Sequence, residues 1–108
     1  QQPAIEKLRR SGAAQVLQIL DGITLAGTRA SERHSDEFKT LRQGLGYCWS
    51  VAIVALPEVG KRLLERWSQS SDPDVQWLVR ENLKKNRLHR IDPEWADRLL
   101  LAAPGKER

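Results

Sequence analysis

The sequence has no methionine and only one cysteine, Cys48. A single thiol excludes an internal disulfide framework and suits a reducing compartment, so a cytoplasmic location is expected. Without methionine, and with the opening QQPAIEK, the chain is expected to be a piece of a longer protein. No charged stretch followed by an apolar one opens it, so no signal peptide is expected. Long apolar runs are also lacking. The longest, Leu45 to Leu56, has 12 residues, whereas a bilayer span needs about 20. It reads as a buried helix, and no membrane partner is expected. Sustained apolar–polar alternation is missing too, which leaves no candidate strand.

The groupings that carry catalysis are equally scarce. His34 and His89 stand far apart, and neither has a second ligand at metal spacing. No glycine-rich phosphate loop follows a strand. Cys48 lies on an apolar stripe and is expected to be a core residue rather than a nucleophile. Asp36, Glu37, Glu58 and Glu94 sit at helix starts, where the positive end of the helix dipole gives them a structural role. No catalytic residue, metal or cofactor is expected, and the chain is read as not an enzyme.

The 108 residues are 40% hydrophobic and 30% charged, enough apolar material for one folded domain. The net charge of +4 is unevenly spread. Residues 73–91 hold five Lys/Arg against two Asp/Glu, the most basic segment of the chain.

The pattern is helical throughout. Pro3 and AIEKLRR suggest a short helix ending near Ser11-Gly12. Ala13, Val16, Leu17, Leu20 and Thr24 then recur at three-and-four spacing, predicting a second helix from Gly12 to Ala26. GTRASERHS reads as a loop. Ser35 caps a third helix with Asp36 and Glu37 in its first turn. Its stripe is Phe38, Leu41, Leu45, Cys48, Ala52 and Ala55. Beyond Leu45 it is apolar nearly all round, with Ser50 the exception, so it must be covered on several sides. Gly44 and Gly46 fit either a close approach or a kink. Pro57 separates it from the amphipathic PEVGKRLLERW. Asp72, Pro73 and Asp74 then give three agreeing start signals for a helix through DPDVQWLVRENLKKNRLHR. Asp92-Pro93-Glu94 repeats the signal for a last helix, which Pro104-Gly105 ends.

Two segments resemble each other. Pro57-Glu58 with Arg62-Leu63-Leu64 matches Pro93-Glu94 with Arg98-Leu99-Leu100, and Cys48, Ala52 and Leu56 match Val75, Val79 and Leu83. The second unit has a longer turn around KNRLHRID. Each unit is a helix, a proline-marked turn and a second helix, as in a solenoid.

The segment Asp72-Pro73-Asp74-Val75-Gln76, followed by Val79 and Leu83, resembles the Asp-x-x-Val-Arg-x-x-Ala core of HEAT repeats, of the bacterial type. Asp72, Val75, Val79 and Leu83 fall on motif positions, and Gln76 takes the place of its Arg. The resemblance covers about residues 36–103 and ranks above armadillo and tetratricopeptide arrays. It implies an all-α, right-handed solenoid of antiparallel helical hairpins, with about three repeats and five to six helices. The whole chain, 1–108, is then one domain. Its parts are a degenerate N-terminal pair over 3–34, a first clear repeat over 35–70 and a second over 71–103.

Four tryptophans need placing. Trp49, Trp67 and Trp95 lie on apolar faces and read as core. Trp77 points away from Val75, Leu78, Val79 and Leu83, beside Arg80, Lys84 and Arg87. Either it packs on a neighbouring helix, or it forms an aromatic platform flanked by cations. The candidate binding residues are therefore Trp77, Arg80, Lys84, Arg87 and Arg90. Asn82 and Asn86 lie on the apolar side and need hydrogen-bond partners.

HEAT resemblance implies a scaffold that binds a protein partner or further repeats of its own chain. The second reading is nucleic-acid binding, through the basic segment and the likeness to HEAT-like DNA alkylation repair glycosylases. The third is self-association through the apolar helix.

Overall fold

Leu56 cannot continue a helix into Pro57, because the proline ring disfavours helical geometry at the preceding residue. It adopts φ −147° and ψ 76° and separates two helices. Such local stops organise a chain that is all-helical among its described residues. The computed structural model describes residues 2–102. The helices are α1 (Gln2–Thr28), α2 (Asp36–Ala55), α3 (Pro57–Trp67), α4 (Pro73–Leu83), α5 (Asn86–Ile91) and α6 (Pro93–Ala102).

α1 corrects the expectation of two N-terminal helices. It runs unbroken for 27 residues through Ser11-Gly12. A glycine in a helix interior costs about 1 kcal/mol relative to alanine, which one residue of a long packed helix absorbs. Of the predicted stripe, Ala13, Leu17, Leu20 and Thr24 are buried along one side and hold the helix on the rest of the fold, whereas Val16 turns outward and is exposed.

α2 begins as expected, with the Ser35 hydroxyl accepting the Phe38 N–H at 3.0 Å. It is the central element, packed against α1, α3, α4 and α5. Its buried side consists of Leu45, Gly46, Trp49, Ser50, Ala52 and Ile53. Two glycines make close contacts possible. A Cβ on Gly46 would stand 2.9 Å from the Trp77 ring, and one on Gly60 would stand 2.9 Å from the Ile53 Cα. Gly44 has open space around it. Gly46, not Gly44, is thus the residue that admits a neighbour.

Asp72 caps α4, accepting the Asp74 and Val75 N–H groups at 2.9 and 3.3 Å. The helix stops at Leu83, earlier than expected, and α5 starts after an extended Lys85. The reason lies in the spacing of two leucines. Leu83 and Leu88 are both fully buried, yet five residues at about 100° each would separate them by about 140° on one helix. The break at Lys84-Lys85 turns Leu88 back into the core. α6 starts at Pro93, with the Asp92 carboxylate accepting the Trp95 N–H at 3.1 Å. The Pro104-Gly105 stop lies outside the described residues.

Trp49 and Trp95 are buried as expected, Trp67 is only partly buried against the core, and all three tie helices together. Each indole N–H finds an oxygen on another helix: Trp49 on Thr24 at 3.1 Å, Trp67 on Asp21 at 2.7 Å and Trp95 on Glu65 at 2.7 Å. Buried indole donors need such partners.

Candidate functional site

The five residues expected to form a contact surface are only partly brought together. Trp77 is half-buried between α4 and α2, its ring against Gly46. The Arg42 guanidinium covers it, 3.8 Å from the ring centroid. Arg42 in turn donates through Nε to Asp74 at 2.8 Å. One ring face of Trp77 is therefore occupied from within the fold. Arg80 is half-buried on α4. Lys84 pairs with Glu81 at 2.9 Å, and Arg90 is exposed on α5.

Arg87 turns towards α2 instead. It donates to the Ser50 hydroxyl at 2.8 Å and to the Tyr47 hydroxyl at 3.4 Å. Its guanidinium carbon lies 4.8 Å from the Tyr47 ring centroid, and the Lys85 ammonium lies 5.9 Å from it. Two cations thus gather around an exposed tyrosine that the sequence did not single out.

Tyr47 leads to the largest surprise of the surface. The second half of α2 was expected to be covered on several sides, and one side is open. Tyr47, Val51 and Val54 are 50%, 46% and 39% exposed, and Cys48 and Ala55 are exposed beside them. Cys48 is therefore not the core residue it was expected to be. At about 100° per residue, the core of α2 follows Leu45, Trp49, Ala52 and Leu56, and Cys48 falls on the outer flank. Val16 and Ile19 of α1 extend the apolar surface. Between the two helices runs an open groove lined by Ala13, Val16, Tyr47, Cys48, Val51 and Ala55. None of these side chains is charged, and only the Tyr47 hydroxyl is a strong hydrogen-bonding group.

A second cluster escaped the sequence entirely. Arg33, in the loop after α1, donates to Asp72 and Asp74 at 2.9 Å each and to the Thr28 and Ala30 carbonyls at 2.9 and 3.1 Å. It closes the loop onto the start of α4. The two carboxylates and the matched hydrogen bonds raise the Arg33 pKa further above its ordinary value. Burial opposes ionisation of Asp72, yet Arg33 and the N–H groups of Asp74 and Val75 outweigh it and hold the carboxyl below the usual range. The cavity beneath, lined by Thr24, Phe38, Leu41, Leu45, Val75 and Leu78, has a volume of ≈ 20 Å³. That is room for about one water, so this cluster is a structural clamp.

The histidines are separate. His89 Nε2 lies 3.1 Å from Asp97, linking α5 to α6. Among the described residues no three His, Cys, Asp or Glu side chains converge as metal ligands, and no helix is long and apolar enough to cross a membrane. No protein-family model, curated protein or solved structure matches the chain.

Proposed function

We propose that the chain is a non-catalytic helical-repeat scaffold of the HEAT type that binds another protein or further repeats of its own chain. The observation that carries this reading is the open apolar face of α2, continued by Val16 and Ile19 of α1. Contiguous exposed apolar surface of this kind marks interaction sites in folded proteins. The solenoid reading draws support from the pairing of α2 with α3, and of α4 with α6, and from the packing of α2 on α4. Asp72 as N-cap, with Val75, Val79 and Leu83 buried behind it, fits the repeat motif.

A nucleic-acid reading draws on a different observation. Lys84, Lys85, Arg87 and Arg90 gather where α4 meets α5. Their charge would attract phosphate in a salt-dependent way. The stacking platform that would complete such a surface is compromised, because Arg42 already lies on Trp77. Protein binding is therefore preferred.

Affinity capture separates the two. The immobilised chain is incubated with an extract of its source cells, with and without nuclease. Retention of a specific protein in both arms is expected. Retention only without nuclease, with salt-sensitive binding of a labelled oligonucleotide, would assign the basic edge instead.

A further inference from the structure

We infer that the occupant of the α1–α2 groove is an amphipathic helix with acidic residues along one flank. The inference rests on the protein-binding reading and adds the chemistry of the partner.

The groove floor and walls are apolar: Ala13 and Val16 from α1, with Cys48, Val51 and Ala55 from α2. A groove between two antiparallel helices takes a third helix by the same packing that joins the first two, through residues spaced three and four apart. A phosphodiester chain would find almost no donors on this floor.

The rim is asymmetric. On the α1 side the outward positions Gly12, Val16 and Ile19 carry no charge, and Arg9, one turn earlier on the same side, is paired with Glu6 at 3.0 Å. On the far side of α2 stand Tyr47, Lys85 and Arg87. The Arg87 partners, Ser50 and Tyr47, are neutral. Neither Lys85 nor Arg87 has a carboxylate within ion-pair distance among the described residues. Both therefore keep positive charge at the edge of an apolar groove. A helix whose apolar stripe fills the groove and whose glutamates or aspartates face Lys85 and Arg87 satisfies both features. Tyr47 joins them, since its ring lines the groove while its hydroxyl meets Arg87. Paired charges at such a rim steer association and fix orientation more than they add affinity.

The test is a display selection on the immobilised chain. The library holds amphipathic helices of about 20 residues, with the flank positions randomised between Glu and Lys. Selection runs on the wild type, on Val51→Asp and on Arg87→Glu, each checked for native helicity. Enrichment of Glu-flanked helices on the wild type is expected, with at least tenfold weaker binding to Val51→Asp. Arg87→Glu is expected to lose the preference for Glu. Enrichment without flank preference, still sensitive to Val51→Asp, would overturn the acidic occupant and leave protein binding standing. No enrichment would overturn the helix. Two companion measurements address other occupants. A sedimenting dimer dispersed by Val51→Asp would assign the face to a second copy. Co-sedimentation with phosphatidylglycerol vesicles, lost in Val51→Asp, would assign it to a lipid surface. Either result would overturn the inference, and retention of proteins from extract reports separately on the broader reading.

Discussion

The Asn82 side chain on α4 accepts the main-chain N–H of Ser50, in the middle of α2, at 2.8 Å. Its amide nitrogen donates to the Leu45 carbonyl at 2.8 Å and the Leu78 carbonyl at 2.7 Å. One buried amide thereby spans a donor and an acceptor five residues apart on α2 and returns a bond to its own helix. With Gly46 and Ser50 giving α4 close access, this is the bond that fixes the register of the two helices. Asn82→Ala leaves buried backbone groups without that partner, at about 1–3 kcal/mol for such a loss. With the added void, a loss of about 2–4 kcal/mol is expected in urea unfolding. Asn82→Asp is expected to be no better, because it removes both donated bonds and buries a charge.

The glycines of α2 predict opposite signs for one chemical change. Gly46→Ala drives a methyl group into the Trp77 ring, and overpacking of that kind costs about 1–3 kcal/mol. Gly44→Ala meets open space and is expected to stabilise the helix by about 0.5–1 kcal/mol. Thermal unfolding of the two variants side by side checks this.

Acid sensitivity follows from two helix caps. Asp72 is held below the usual carboxylate range although burial opposes its ionisation, because Arg33 and two backbone N–H groups favour the charged form. Asp92 is lowered by the Lys61 hydrogen bond and the Trp95 N–H. A carboxyl with a lower pKa in the folded state binds fewer protons there, so protonation favours unfolding. The contribution is complete above the unfolded value near 4 and is lost as pH falls through the folded value. The urea midpoint is expected to drop below about pH 4, and Asp72→Asn is expected to flatten that drop. At neutral pH, Asp72→Ala is expected to cost about 1 kcal/mol through loss of the cap.

Much of this fold was legible because it rests on local signals. Ser35, Pro57, Asp72-Pro73 and Asp92-Pro93 mark their helix starts, and the burial of Trp49 and Trp95 follows from periodicity. The N-terminal break was misread because one glycine weighs little against a continuous buried stripe. The α4–α5 break was missed because it answers to the burial of Leu88, a tertiary demand. Asn86, expected on the apolar side, is exposed at the start of α5 for the same reason. The candidate site was harder to see. Trp77 was correctly set apart from its helix's apolar face, but Arg42, 35 residues away in sequence, covers it. Tyr47 gained importance only when α5 brought Lys85 and Arg87 to it. Arg33 sits in a polar loop that gives no hint of the two carboxylates it clamps.

The basic edge yields its own expectation. If it holds no nucleic acid, replacing Arg80, Lys84 and Arg87 together should leave oligonucleotide anisotropy at low salt as small as in the wild type. Clear binding by the wild type, weakened by the triple change and steeply reduced by salt, would favour the nucleic-acid reading.

The open face of α2 is tested most directly by comparing protein retention on the wild type and on Val51→Asp. Val51 is 46% exposed, so the variant is expected to keep its fold, which its helical circular dichroism and thermal unfolding check. Specific protein retained by the wild type and reduced at least tenfold on the folded variant is the predicted result. Equal retention of the same protein on both would contradict the assignment of this face as the binding surface.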